Sequence, residues 1–156
     1  MSTLRSRVEG TLIGLAAGDR IGGPTRMALQ LAASLLDRNG LDRDDIGARY
    51  LNWWKDGGFD TGTTAARVFS LVADGMSFEE AAARVDRERG GKTAGCNPAH
   101  RIAPLAMWSS IPDRDLPGLA RAEAALTHQD PLAGDVAAAV AVLCRNLIRG
   151  LPWLGD

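Results

Sequence analysis

Residues 10–19, Gly-Thr-Leu-Ile-Gly-Leu-Ala-Ala-Gly-Asp, decide how this chain is read. No charge interrupts the run before Asp19, and Gly10, Gly14 and Gly18 recur at every fourth position. On an α-helix four residues is close to one turn, so these glycines, with Ala17 beside them, make one smooth stripe. A glycine inside a helix costs about 1 kcal/mol against alanine, a cost that close approach of neighbouring helices would offset. Leu12, Ile13 and Leu15 make the other faces apolar. The segment therefore predicts a central, tightly packed helix. Small-residue spacing of this kind also dimerises membrane helices, but the apolar run here is about ten residues and a span needs about 20. Asp19 closes the helix, and Gly22-Gly23-Pro24 marks a sharp turn.

Working outward, each following segment reads as a helix. Thr25 to Arg38 places Met27, Ala28, Leu31 and Leu35 on one face and stops at Asn39-Gly40. Asp42 to Trp54 carries Ile46, Tyr50, Trp53 and Trp54, with Gly57-Gly58 beyond it. Thr61 is placed to cap a helix bearing Ala65, Val68, Phe69 and Val72. Ser77 and Glu80, three apart, form a capping box that opens the next. Ala99 to Trp108 reads as a short helix kinked or restarted at Pro104. Another starts at Asp115 or Pro117 and runs to Leu126, and Pro131 at a first-turn position begins the last, through Arg149. No segment alternates as a strand does. The pattern predicts one all-α domain over residues 1–156, a bundle of seven to eight helices around the Gly-striped one. Pro152 and Trp153 read as the start of a further element that packs on the domain or is covered by a partner or a missing segment.

Composition narrows the partners. Apolar residues make up 46% of the chain, enough for a sizeable core, and the net charge of −1 gives no reason to invoke nucleic acid or an anionic membrane. Two cysteines, Cys96 and Cys144, are too few for a disulfide framework, and the N-terminus lacks an apolar leader. A cytoplasmic location is expected.

Three polar stretches could carry chemistry. Asp60, in Gly57-Gly-Phe-Asp-Thr-Gly-Thr-Thr64, lies beside a helix N-terminus, where a carboxylate is favoured; a plain cap is the simplest account. In Gly95-Cys-Asn-Pro-Ala-His-Arg101, Asn97 is placed to cap a helix with Pro98 at its first position. His100 and Arg101 then fall in a first turn, where a cation is mildly unfavourable, which hints at a carboxylate or phosphate partner. Thr127-His-Gln-Asp-Pro131 supplies His128, with Thr127 and Asp130 available as caps. Either histidine could move protons near neutral pH, but two are too few to argue for a zinc site. No Gly-rich phosphate loop or serine elbow occurs.

Taken together, GTLIGLAAGDRIGG (10–23), TRMALQLAASLL (25–36), YLNWW (50–54), FDTGTT (59–64), GCNPAHRIAPLAM (95–107) and LTHQDPLAGDVAAAV (126–140) resemble the ADP-ribosylglycohydrolase family in order and spacing. The resemblance covers nearly all of the chain and about the N-terminal half of the usual family domain. It implies an all-α enzyme that releases ADP-ribose from modified side chains, commonly with two magnesium ions. Residue by residue, Asp60 matches the aspartate of an Asp-Ile-Gly turn near the metals, and His128 the histidine of a Thr-His pair with Thr127; Asp60 and His128 are the implied catalytic residues. Asn97, His100 and Arg101 match a loop beside the bound ADP-ribose, where the family usually has Asn-Gly and Met. Asp19 matches the Gly-Asp ending the buried helix, so the implied substrate-binding set is Asp19, Asn97, His100, Arg101 and Thr127.

The chain also departs from the pattern. A glutamate-bearing loop and Thr-Asp-Asp-Thr normally follow the Gly-Asp-x-x-Gly turn. Here Gly22-Gly-Pro-Thr-Arg-Met27 joins the elements directly, with Gly23 and Pro24 where two metal-binding aspartates would stand. The family's Asp-x-Asp-Thr set lies further along than this sequence extends. Magnesium wants hard oxygen ligands, and Asp19 and Asp60 alone make a poor dinuclear site, so no metal ligand is assigned. Three readings follow: a hydrolase working by another arrangement, a catalytically degenerate module that binds an ADP-ribose-like ligand or serves structurally, and a fragment that pairs with a second chain or itself, as a homo-oligomer, through the C-terminal edge at Trp153.

Overall fold

The structure, a computed structural model, describes residues 3–151. Within them the chain forms α1 (Leu4–Gly18), α2 (Gly23–Arg38), α3 (Arg43–Lys55), α4 (Gly62–Ala73), α5 (Phe78–Glu88), α6 (Asn97–Arg101), α7 (Ala103–Met107), α8 (Leu116–Ala124) and α9 (Pro131–Arg149), with no strand among the described residues. The all-α expectation stands.

Local chemistry sets most of the boundaries. Asp42 Oδ1 accepts from Asp45 N at 3.0 Å and starts α3. Ser77 and Glu80 form the reciprocal capping box: Ser77 Oγ accepts from Glu80 N, and Glu80 Oε2 from Ser77 N, both at 3.2 Å. Asp130 caps α9 through Leu132 N at 3.0 Å. Asn39 (φ 54°) ends α2 and Gly150 (φ 76°) ends α9, both in the left-handed region that closes helices. Pro104 has no N–H to donate back to the carbonyl of His100. The helix expected over 99–108, kinked or restarted at Pro104, does restart there, as α6 and α7, and the described residues hold nine helices rather than seven or eight.

The main core joins Met27, Leu31 and Leu35 of α2, Ile46 and Tyr50 of α3, Phe69 of α4, Leu105 of α7, Leu116 of α8 and Ala141 of α9. A smaller cluster, Val68, Leu71, Ala81, Ala82 and Val85, seals α4 to α5. The spine is α9. Its buried residues Ala133, Gly134, Ala137, Ala138 and Ala141 let α8 approach closely, and a Cβ at Gly134 would meet Arg121 Cγ at 3.3 Å. By length and mean hydropathy (1.5) α9 could cross a membrane, but it packs here against α6, α7, α8 and α1 as a core helix does. Arg145 on α9, buried at 3% exposure, donates to the carbonyls of Leu105, Ala106, Trp108 and Ile111. It satisfies the open C-terminal end of α7 with a cation, as the helix dipole favours.

The Gly-striped helix is not central, contrary to expectation. No described residue of α1 is buried, and a Cβ built on Gly10, Gly14 or Gly18 would meet nothing within 4 Å. The half-buried residues Val8, Thr11, Leu12 and Leu15 share the side toward α7 and α9, while Ile13 is 68% exposed. Burial stabilises in proportion to apolar area. Glycines offer almost none, so the helix turns its side-chain-bearing face inward and its stripe outward. Pro152 and Trp153, expected to begin a further element and to form an oligomeric edge, lie outside the described residues.

Candidate functional site

The outward stripe of α1 has another use. Gly14 and Gly18 form part of the wall of a cavity of about 560 Å³, completed by the 19–24 turn, the α3–α4 loop and the start of α6. Its polar lining comprises Asp19, Arg20, Asp60, Cys96, Asn97 and His100. A volume of this size is in the range of small-molecule sites.

Asp19 organises the turn below the cavity. Its Oδ1 accepts from Gly22 N at 2.9 Å, and its Oδ2 accepts from Thr25 N at 2.8 Å and Thr25 Oγ1 at 2.6 Å. Burial works against the charged form, but these donors outweigh it and hold the Asp19 carboxyl below the ordinary carboxylate range. Gly22 is left-handed (φ 103°), and Gly23 then opens α2 with Pro24 in its first turn.

At Gly23 the backbone of the α3–α4 loop comes very close. A Cβ there would stand 2.4 Å from Phe59 O, 2.6 Å from Asp60 O and 2.7 Å from Asp60 Cβ. Phe59 is braced edge-on by Trp53, ring centroids 6.1 Å apart. Asp60 itself is left-handed (φ 53°) with an exposed side chain at the cavity. The expected Thr61 cap is in position before α4, but its side chain makes no capping bond.

Beneath the opposite wall lies a buried polar cluster. On α6, Asn97 and Arg101 are one turn apart, and Arg101 Nη1 donates to Asn97 Oδ1 at 2.6 Å. Arg101 Nε donates to Glu123 Oε1 at 2.7 Å, which also accepts from the Tyr50 hydroxyl at 2.7 Å. Arg101 Nη2 donates to Thr127 Oγ1 at 3.0 Å, and that hydroxyl is 2.8 Å from His128 Nδ1. Tyr50, Arg101 and Glu123 are all at 0% exposure. Burial drives the Tyr50 phenol well above its usual value, and Glu123 reinforces that. For Arg101 burial opposes the charge, but Glu123 and Tyr50 more than restore it.

The structure thus brings Asp19, Asp60, Asn97 and His100 around one cavity and sets Arg101, Thr127 and His128 behind its wall. Asn97 does not cap α6; Cys96 holds that position, and the Asn97 oxygen is turned to Arg101. Arg101, matched in sequence to a ligand-side loop, is wholly enclosed and donates to Asn97, Glu123 and Thr127 inside the protein. Tyr50 and Glu123 were missed as site residues. For Glu123 the signal was present: it falls on the same stripe as Leu116, Ala120 and Ala124, a lone carboxylate on an apolar face.

Burial, with Arg101 and Arg89 nearby, lowers the His128 pKa to about 3. In the unfolded chain a histidine binds a proton near pH 6.5, so between those values the unfolded state holds more protons. The stability contributed by neutral His128 is fully present above about pH 6.5 and lost as pH falls toward 3. Thermal melts between pH 6.5 and 5, above the carboxylate range, are expected to fall with pH, and His128→Gln to flatten that slope. An equally steep slope in the variant would show that another group is responsible.

Among the described residues no group of three or more His, Cys, Asp or Glu is placed to hold a metal ion. On the cavity, Asp19 already accepts three hydrogen bonds from its own turn, and position 23 has no room for any side chain. This donor set does not fit a pair of magnesium ions, which need several free oxygens each.

In this all-α bundle a carboxylate, an amide and an imidazole line one cavity where helix ends converge. The chain belongs to the ADP-ribosylglycohydrolase family, whose family model matches residues 24–154. Asp60, Asn97, His100, Arg101, Thr127 and His128 lie within the matched stretch, and Asp19 just before it. A search of the curated proteins finds no match to the chain.

Proposed function

We propose that the cavity binds an ADP-ribosyl group, with Asp60 and His100 at its open side and Asn97 in its wall. One observation carries the reading: Asp19, Asp60, Asn97 and His100, from three separate segments of a chain of this family, converge on a single cavity. Asp19 serves by holding the 19–25 turn, and Thr127 and Arg101 serve from behind the wall. Binding here uses no metal, because the available oxygens do not make a magnesium site. The two unpaired cysteines, Cys96 and Cys144, fit a reducing, cytoplasmic setting.

Hydrolysis of the glycosidic bond is the second reading, favoured by the left-handed backbone of Asp60, since such strain gathers at functional sites. In it Asp60 orients a ribose hydroxyl or a water, and the exposed His100 imidazole acts as acid or base. His128, neutral and enclosed, is a poor proton carrier at pH 7 and stands as packing.

Calorimetric titration with ADP-ribose, with and without magnesium, tests the first reading. Saturable binding unchanged by magnesium, and weakened at least tenfold in Asp60→Ala, is expected. Folded protein that gives no binding signal removes the proposal. Release of ADP-ribose from a modified protein, abolished in Asp60→Ala, would establish the second.

A further inference from the structure

The geometry points to Arg101 as a positioning residue that holds the Asn97 amide with only its N–H donors toward the cavity. This makes that wall selective for acceptor oxygens. The selectivity for phosphate or ribose oxygens rests on the ADP-ribosyl reading; the orientation of the amide does not.

A guanidinium has five donors and no acceptor, so the Asn97 atom facing Nη1 at 2.6 Å has to be the oxygen. The guanidinium itself has no freedom to turn. Glu123 holds Nε, Thr127 holds Nη2, and the Tyr50 ring lies 5.0 Å from its carbon. Asn97 is 7% exposed and forms part of the cavity wall. Its Nδ2 makes no hydrogen bond among the described residues. Nor is it one of the buried, unpartnered side-chain atoms, which are Ser34 Oγ, Trp108 Nε1 and Glu123 Oε2. The amide hydrogens are therefore left on the cavity side. A flip would press the amide NH2 against a cation and lose a charge-assisted bond. Without Arg101, an asparagine in this wall would offer donor and acceptor alike.

The test uses 15N-labelled protein and ADP-ribose. The Asn97 side-chain NH2 signals, assigned by their loss in Asn97→Asp, are expected as one pair that moves on titration. Arg101→Lys replaces the fork with a point charge that cannot span Glu123, Asn97 and Thr127. It should broaden or split that pair and weaken ADP-ribose binding at least tenfold. Ser77→Ala removes the capping box of α5, which touches neither the cavity nor the Arg101 cluster. It should lower the melting temperature yet leave the signals in place and the affinity within twofold. Asn97→Asp should fold and bind at least tenfold more weakly, because an acceptor now meets acceptors. The inference is overturned if Ser77→Ala weakens binding as much as Arg101→Lys, or if Asn97→Asp binds undiminished. If the parent protein does not bind ADP-ribose, the proposed function falls. The amide signals then still decide the orientation, and an unchanged pair in Arg101→Lys overturns it.

Discussion

Gly23→Ala is expected to lose ADP-ribose binding and to melt roughly 6 to 12 °C lower. The added carbon would stand 2.4 Å from Phe59 O and inside 2.8 Å of two atoms of Asp60. Two of those three are backbone oxygens, so no side chain can swing aside. Either α2 draws back, breaking the hydrogen bonds from Gly22 and Thr25 to Asp19, or the 59–60 backbone shifts and Asp60 leaves its left-handed conformation. Both moves disturb the cavity. Overpacking costs about 1 to 3 kcal/mol, and a rigid backbone contact belongs at the upper end. A domain of this size loses about 2 to 4 °C per kcal/mol. Gly10→Ala is the control, because its added carbon meets nothing; it should stabilise by up to about 1 kcal/mol through helix propensity. Thermal melts and ADP-ribose titrations of the two variants check the pair, and a Gly23→Ala protein that matched the parent in both would refute this account of the turn.

Glu123→Ala should cost about 3 to 5 kcal/mol, the usual penalty for leaving a buried charge without its partner. Arg101 would keep its charge at 0% exposure with Glu123 Oε1 gone, and the Tyr50 hydroxyl would lose its acceptor. Replacing the pair together, Arg101→Met with Glu123→Leu, should recover most of the loss, since a dry ion pair and a well-packed apolar pair are of similar net worth. Denaturant unfolding of the single and double variants measures this. A single-variant loss below about 1 kcal/mol would mean the cluster contributes little to holding α3, α6 and α8 together. The double variant also separates stability from function, as it removes the group that fixes Asn97.

Much of the fold was readable before any coordinates. Ser77 with Glu80, Asp42, Asn39-Gly40 and Pro131 mark helix ends through bonds made within a few residues, so the sequence contains the whole interaction. Four of the expected site residues meet at the cavity for a related reason: each sits at or beside a helix end, and the ends of α1, α2, α4 and α6 border this cavity. The wrong expectation about α1 has a different origin. Spacing showed that Gly10, Gly14 and Gly18 share a face, but not which way that face points.

From sequence alone come the helices, their caps and breaks, and the polar residues at their ends, because those depend on neighbours along the chain. Tertiary structure alone decided three things: that α9 rather than α1 is the spine, that Arg101 meets Glu123 and Tyr50 in the interior, and that Gly23 lies against the Asp60 backbone. Each depends on which surfaces win the competition for burial, and that competition is settled by the apolar area and packing of all the helices at once.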